Sequence, residues 1–164
     1  MNKKKSCDLL NKAVADELQA VHQYMYFHFH LTDQGFGPLS ALFRRIAIEE
    51  MGHVEILAER ILFLKGDVEM AAAGPVEKIT EPEQMLVKAR QMEDDSAAWY
   101  NKAALECAAN ADSASKQIFE TLVASEEGHW DLFDKQLENI KRFGPSYLAL
   151  QSFSGASEPP ASGA

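Results

Sequence analysis

Two short stretches hold the residues best suited to chemistry: Glu50-Met51-Gly52-His53 and Glu126-Glu127-Gly128-His129. Each sets an imidazole three residues after a carboxylate, with glycine just before the histidine. Residues i and i+3 are neighbours on one face of a helix, so each pair can grip one metal ion. A single Glu-x-x-His is weak, because charged helices produce such pairs by chance. Here an offset of 76 residues carries Glu50 onto Glu126 and His53 onto His129. The same offset carries Glu17 onto Glu93, Tyr24 onto Tyr100 and Gly52 onto Gly128. Four carboxylates and two imidazoles in duplicate halves are what a twofold metal site within one chain requires. Four ionised carboxylates balance the charge of two divalent cations. Mixed carboxylate and imidazole ligation suits iron or manganese and leaves positions open for oxygen chemistry.

These residues must sit on elements that bring them together. Apolar positions at threes and fours predict a first helix over 6–32, with Leu10, Val14, Leu18, Val21 and Met25 among them. Gln34 to Pro38 stops it, and Pro38 suits the first turn of a second helix over 38–65. Gly66 fits the position just after that helix. Residues 67–79 have no helical period. Thr80 and Glu83 then have capping-box spacing before a third helix that runs to Ala109. Asp112 is a plausible cap for a fourth helix ending at Phe143, where Gly144-Pro145 follows. Tyr147 to Phe153 reads as a short fifth helix, and 154–164, rich in Ser, Gly, Pro and Ala, as a disordered tail.

The class is therefore all-α. Short turns make two antiparallel hairpins, and the longer link between helices two and three can run the length of a bundle. That is a ferritin-like four-helix bundle with one long crossover and a short C-terminal fifth helix, occupying residues 1–153 as one domain. The six candidate ligands fit the ligand pattern already known for di-iron bundles, one Glu from each of two helices and Glu-x-x-His from each of the others. Their neighbours three and four residues away include Val21, Ile46, Leu57, Leu86, Ala97 and Leu122, so these acids face a core. Buried carboxylates are costly unless paired or bound to metal.

A net charge of −9 argues against duplex nucleic acid as a partner and suits a protein that attracts cations. No apolar run reaches membrane-spanning length, and no signal-peptide core follows the basic start, so a cytoplasmic location without a membrane partner is expected. Cys7 and Cys107 fit no metal spacing and are expected as reduced thiols.

With these motifs in hand, the chain resembles the bacterioferritins over nearly its whole length. The matching stretches are Ala15-Asp16-Glu17-Leu18, Asp33-Gln34-Gly35-Phe36, Glu50 to His53, Glu59 to Leu64 and Glu126 to His129. The resemblance implies a ferroxidase centre holding two irons per subunit. Its catalytic ligands would be Glu17, Glu50, His53, Glu93, Glu126 and His129. Glu50 and Glu126 would bridge, with Glu17 and His53 terminal on one iron and Glu93 and His129 on the other. The implied reaction is oxidation of Fe(II) by dioxygen or peroxide, with ferric mineral stored in a hollow shell. That shell would be a homo-oligomer of 24 subunits built from twofold dimers, served by a small electron-donor protein for iron release. Tyr147-Leu148-Ala149-Leu150 resembles the fifth helix of such shells.

A helix step of about 100° turns Met51 away from the face of Glu50 and His53, so it points out of the bundle. By position it suits an apolar interface. By resemblance it ligates the iron of a haem, or a related porphyrin, shared between two subunits. Leu18, Val21, Met25 and Ile48 would wall that pocket, and His22 and Arg44 would meet the propionates.

Tyr24 is expected to reach a ligand glutamate with its hydroxyl, and Tyr100 either to do the same or, more in keeping with its type, to fill core space. His22, His28 and His30 are expected not to be ligands, and Cys107 to be a small buried residue. Trp99 and Trp130 read as packing, Trp130 also as a conceivable electron donor beside His129. Glu49 and Glu127 read as surface acids or as lining for an iron route. The alternative function is a rubrerythrin-like di-iron peroxidase without storage. By resemblance that site needs a further glutamate where this chain has Ser96, and a Cys-x-x-Cys domain that this chain lacks.

Overall fold

The computed structural model describes residues 1–153; the tail expected to be disordered lies outside them. Five helices follow in order: α1 (Lys3–Asp33), α2 (Gly37–Phe63), α3 (Pro82–Ala109), α4 (Ser113–Phe143) and α5 (Pro145–Phe153). Every regular element among the described residues is helical. The hairpins α1–α2 and α3–α4 form the main packing, α1 meets α3, α2 meets α4, and α5 rests on α4 and α2. The expected bundle with one long crossover and a short fifth helix is the one observed.

Several boundaries differ from the periodicity. Helix α1 begins three residues earlier than expected, because Asn2 accepts from Lys5 N and caps a lysine-rich turn that has no apolar period. Helix α2 ends at Phe63. Its close is a Schellman turn, with Lys65 N on Leu62 O and Gly66 N on Ile61 O, both 3.0 Å. Lys65, not Gly66, takes the left-handed conformation, at φ 69°. Gly66 is needed for space instead: a Cβ there would lie 2.6 Å from Cys7 Sγ and 3.1 Å from Ile61 Cγ2. The capping box at Thr80 does not form. Glu81 is the cap residue, without a side-chain bond, and Pro82 opens α3. Asp112 does cap α4, accepting from Ser115 N.

The crossover is not helical, and α1 supplies partners for its backbone. Asn11 accepts from Glu69 N and donates to Asp67 O, both at 2.9 Å. Gln19 accepts from Gly74 N and donates to Pro75 O, and Gln23 does both with Glu77, all between 2.8 and 2.9 Å. Ala73 N bonds to Ala15 O at 2.9 Å. Residues 11, 15, 19 and 23 form one i, i+4 row along α1, so the crossover is laid parallel to that helix. Buried backbone groups need such partners.

The core has two apolar halves. One gathers Leu10, Val14, Leu57, Ile61, Tyr100, Phe119 and Leu122; the other gathers Tyr24, Phe27, Phe43, Ile46, Leu86 and Phe133. Burying each such side chain contributes about 1.5–3 kcal/mol. In every long helix the candidate ligands lie in sequence between the stretches that feed these two halves. The acids thus form a polar layer inside an apolar bundle. No helix among the described residues is long and apolar enough to cross a membrane.

Candidate metal centre

Each long helix brings one glutamate to the polar layer: Glu17 from α1, Glu50 from α2, Glu93 from α3 and Glu126 from α4. All four are at most 2% exposed. His53 and His129 follow their glutamates by one helical turn and are buried as well. The axial stagger of α2 against α4 is pinned by Arg60, which donates to Asp112 Oδ1 at 2.6 Å and to Ser115 Oγ at 2.9 Å. Arg90 ties α3 to α4 through Asp134 at 2.6 Å.

Two overlapping groups result. Glu17, Glu50, His53 and Glu126 each offer a ligand atom, and these atoms lie within 4.8 Å of one another; Glu50, Glu93, Glu126 and His129 do the same. Glu50 and Glu126 belong to both, the position a bridging carboxylate must occupy. Both histidines turn Nδ1 inward. His53 Nδ1 is 2.7 Å from Glu50 Oε2 and 3.2 Å from oxygens of Glu17 and Glu126. His129 Nδ1 is 3.0 Å from Glu50 Oε1, 3.6 Å from Glu93 and 3.8 Å from Glu126.

Proximity here is not satisfaction. Both oxygens of Glu50, Glu126 Oε1 and His129 Nδ1 are buried without a hydrogen-bond partner, because the short contacts are poorly aligned. Orphaned polar atoms are rare in native interiors and costly. Four of them converging from three residues, in a mixed oxygen and nitrogen set, fit metal ligation.

Electrostatics divide the carboxylates. Burial raises Glu17 well above the usual range, and the charge of Glu50 adds to it. Burial also raises Glu93, reinforced by contact with Glu126. Burial opposes ionisation of Glu50 and Glu126 too, but there it is outweighed. His129 and His53 hold Glu50 low, while Glu93 and the two histidines hold Glu126 at about 2. Burial would lower His53, yet contacts with Glu126, Glu17 and Glu50 lift it to about 12. His129 is raised against burial by Glu126, Glu50 and Glu93. Burial thus pushes Glu17 and Glu93 toward the neutral form, while the histidines favour the ionised form of Glu50 and Glu126.

The tyrosines reinforce the twofold arrangement. Tyr24 on α1 donates to Glu93 Oε1 on α3. Tyr100 on α3 donates to Glu17 Oε1 on α1 at 2.6 Å, so it does more than fill space. Burial foremost, then the neighbouring carboxylates, keeps both phenols protonated as donors. Each ring also packs on a phenylalanine, Tyr24 on Phe43 and Tyr100 on Phe119, with centroids 5.8 Å apart in both cases. Phe43 and Phe119 are again separated by the offset of 76.

Two partners escaped the sequence reading. Glu49 Oε2 lies 2.8 Å from His129 Nε2, and Ser125 Oγ lies 3.0 Å from His53 Nε2. Glu49 is thus more than a surface acid, while Glu127 stays exposed beside a surface cavity with Asp94, Trp130 and Asp131. The signal for Glu49 and Ser125 was their place, each directly before a glutamate shared by both groups.

The remaining candidates fall outside the layer. His22 is exposed, His28 bonds to Ser40 Oγ at 2.8 Å, and His30 packs on Tyr26. Ser96 lines an outer cleft with Asp16 and Trp99. Trp99 packs edge-on against Tyr100 and Phe119. Cys7 and Cys107 are free thiols; burial, then Asp112 and Glu106, lifts Cys107 to about 11. Met51 is 41% exposed and faces away from the ligands, as does Ile48 beside it at 54%.

Comparison with known proteins agrees with this geometry. Residues 7–143 match the family model of the ferritin-like domain. The chain is 37% identical over 147 residues to a bacterioferritin of Rhodobacter capsulatus, covering 89% of this chain and 91% of that one. It is 34% identical over 147 residues to the bacterioferritin of Desulfovibrio desulfuricans, covering 90% and 82%. A crystal structure of the Desulfovibrio desulfuricans bacterioferritin, described with its diiron site in different catalytic states, superposes with a TM-score of 0.90 at 31% identity, over 99% of this chain and 95% of that one. The Rhodobacter capsulatus bacterioferritin, described with a metal-free dinuclear site and haem iron, gives a TM-score of 0.87 at 33% identity, with 98% of both chains covered.

Proposed function

The chain belongs to the ferritin-like domain family and, within it, to the bacterioferritins, and from that premise we propose how its residues divide the work of iron oxidation and storage. It is a ferroxidase, oxidising Fe(II) at a di-iron centre and storing the product. Glu17, Glu50, His53, Glu93, Glu126 and His129 are the proposed ligands. Glu50 and Glu126 bridge, Glu17 and His53 hold one Fe(II), and Glu93 and His129 hold the other. The observation that carries this is the sharing of Glu50 and Glu126 by both ligand groups, with both Glu50 oxygens and Glu126 Oε1 buried and unpartnered.

The substrate is a pair of Fe(II) ions, which together give two electrons to dioxygen or peroxide. The protein's part is positional. The apolar halves above and below the layer keep water out. Tyr24 and Tyr100 hold the terminal glutamates. Glu49 and Ser125 hold the outer nitrogens of the histidines, so that Nδ1 faces the ions.

Haem is proposed at Met51. Its exposed thioether stands beside exposed Ile48, and Arg44 lies on the same face by helical spacing. A thioether is an established axial ligand for haem iron. Leu18 and Met25 of α1 fit an apolar wall, and His22 and Arg44 fit the acidic edge of a porphyrin. A bound haem supplies an electron-transfer site between two subunits. A shell of 24 subunits, assembled from twofold dimers, is proposed from the fifth helix and from kinship, with a small electron-donor protein serving iron release. A cytoplasmic location remains part of this reading, as does the absence of a nucleic-acid partner, the latter supported by the net charge of −9.

Anaerobic titration with Fe(II) tests the core of it. Two Fe(II) per chain should bind before saturation, then oxidise in one fast phase when oxidant is added, with slower mineral growth afterwards. A fast phase that saturates at one iron per chain would sink the ligand assignment. Sedimentation of the assembled protein tests the shell, and a dimer as the largest species would exclude it.

A further inference from the structure

The offset of 76 residues fails at one position that touches the ligands: it carries Glu49 onto Ser125. These two residues have the same task. Each reaches between α2 and α4 to the outer nitrogen of the opposite helix's histidine. When Nδ1 of each ring is committed to a metal ion, Nε2 is the nitrogen that carries hydrogen and donates outward. In that state His129 Nε2 faces a carboxylate oxygen at 2.8 Å, and His53 Nε2 a hydroxyl oxygen at 3.0 Å. The other Glu49 oxygen lies 3.9 Å from Arg45 Nε, so Oε2 is left to the histidine.

The two partners are chemically unlike. A charged acceptor makes a hydrogen bond roughly twice as strong as a neutral one. A carboxylate behind a ligand histidine fixes its tautomer and makes the ligand nitrogen more electron-rich, and loss of such a partner typically costs about 10–100-fold in metal affinity. A serine hydroxyl fixes the ring with less polarisation. The inner faces differ in the same pairwise way: His53 Nδ1 has three carboxylate oxygens within 3.2 Å, whereas the nearest to His129 Nδ1 is at 3.0 Å and the others lie at 3.6 and 3.8 Å. His129 is thus less enclosed by its ligand partners and is held instead from outside by Glu49.

We infer that the two metal positions are unequal, and that Glu49 is the positioning residue that makes the Glu93–His129 position the tighter one. This rests on the ligand assignment proposed above. Glu49 is suited to a test because its side chain is 45% exposed, so its truncation opens no buried hole.

The assembled, iron-free protein is titrated with Co(II) under anaerobic conditions, and ligand-field absorption reports each ion bound. Two ions should bind per chain in two distinguishable steps. Glu49→Ala should weaken the tighter step by about 10–100-fold and leave the other within about twofold. Glu49→Gln, which keeps an acceptor but not the charge, should lose less. Ser125→Ala should move the weaker step by less than about threefold, and Ser125→Glu should draw the two steps together. A general structural role for Glu49 would shift both steps alike, and that result overturns the inference, as does a shift of neither or of the weaker step alone. Cobalt binding that survives Glu126→Ala would overturn the ligand assignment and this inference with it.

Discussion

The Tyr100 hydroxyl donates a 2.6 Å hydrogen bond to Glu17 Oε1, from α3 to α1, and Tyr24 makes the reciprocal bond from α1 to Glu93 on α3. Glu17 and Glu93 are therefore each held by the helix that carries the other. Tyr100→Phe should cost about 1–3 kcal/mol in stability, because a buried carboxylate oxygen loses a donor. It should also weaken Fe(II) binding by about 10–100-fold. Tyr24→Phe should behave alike. Urea midpoints and anaerobic Fe(II) titration measure both effects, and a silent Tyr100→Phe beside a damaging Tyr24→Phe would break the twofold equivalence.

Glu50→Ala or Glu126→Ala should abolish fast Fe(II) oxidation and leave helix content and assembly nearly intact. Each removes a group shared by both ligand sets. Stopped-flow oxidation with circular dichroism is the check; retained fast oxidation in both variants contradicts the assignment.

Iron uptake should depend on pH in a definite direction. Glu17, Glu93, His53 and His129 all have raised pKa values, each pushed toward its protonated form when no metal is bound. Ligation requires those protons to leave. Loading Fe(II) should release protons, and affinity should rise as pH rises. The metal-free fold should show the opposite trend. A group whose pKa is raised by folding binds more protons in the native state, so its contribution is complete below its unfolded value and is lost as pH climbs through the folded one. For His53 that span runs from 6.5 to about 12. Glu126 acts the other way: its contribution is present above 4.5 and lost as pH falls toward about 2. Melting of metal-free protein should therefore occur at lower temperature at pH 9 than at pH 6. Anaerobic indicator-dye titration counts the released protons.

Met51→Leu should lose haem and keep ferroxidase activity, since Met51 faces away from the ligands and its replacement keeps the volume. Absorption spectra of protein expressed with ample haem decide it: an unchanged Soret band in the variant would remove Met51 as the ligand.

Gly66→Ala should destabilise the fold by about 1–3 kcal/mol through overpacking. The new methyl group would meet Cys7 Sγ at 2.6 Å and Ile61 Cγ2 at 3.1 Å. Adding Cys7→Ala should recover much of the loss. Additive effects in a double-mutant cycle of thermal melts would place the cost elsewhere.

The sequence alone determined what depends on linear spacing. Glu50 and His53 share a face because of helix geometry, and the offset of 76 puts the second half of the ligands in register. Apolar periodicity marked the four long helices, and a residue one step past Glu50 had to face outward, as Met51 does. Tertiary structure decided everything that depends on how far and at what angle one helix stands from another. That Tyr100 reaches Glu17, that Glu49 reaches His129, and that Cys7 leaves room only for glycine at position 66 are distances across the bundle. The amide row of Asn11, Gln19 and Gln23 finds its partners only in the crossover laid along it. Backbone geometry repeats along one helix and can be read from one chain segment. The stagger and rotation between helices come from the packing of the whole core, which no single segment encodes.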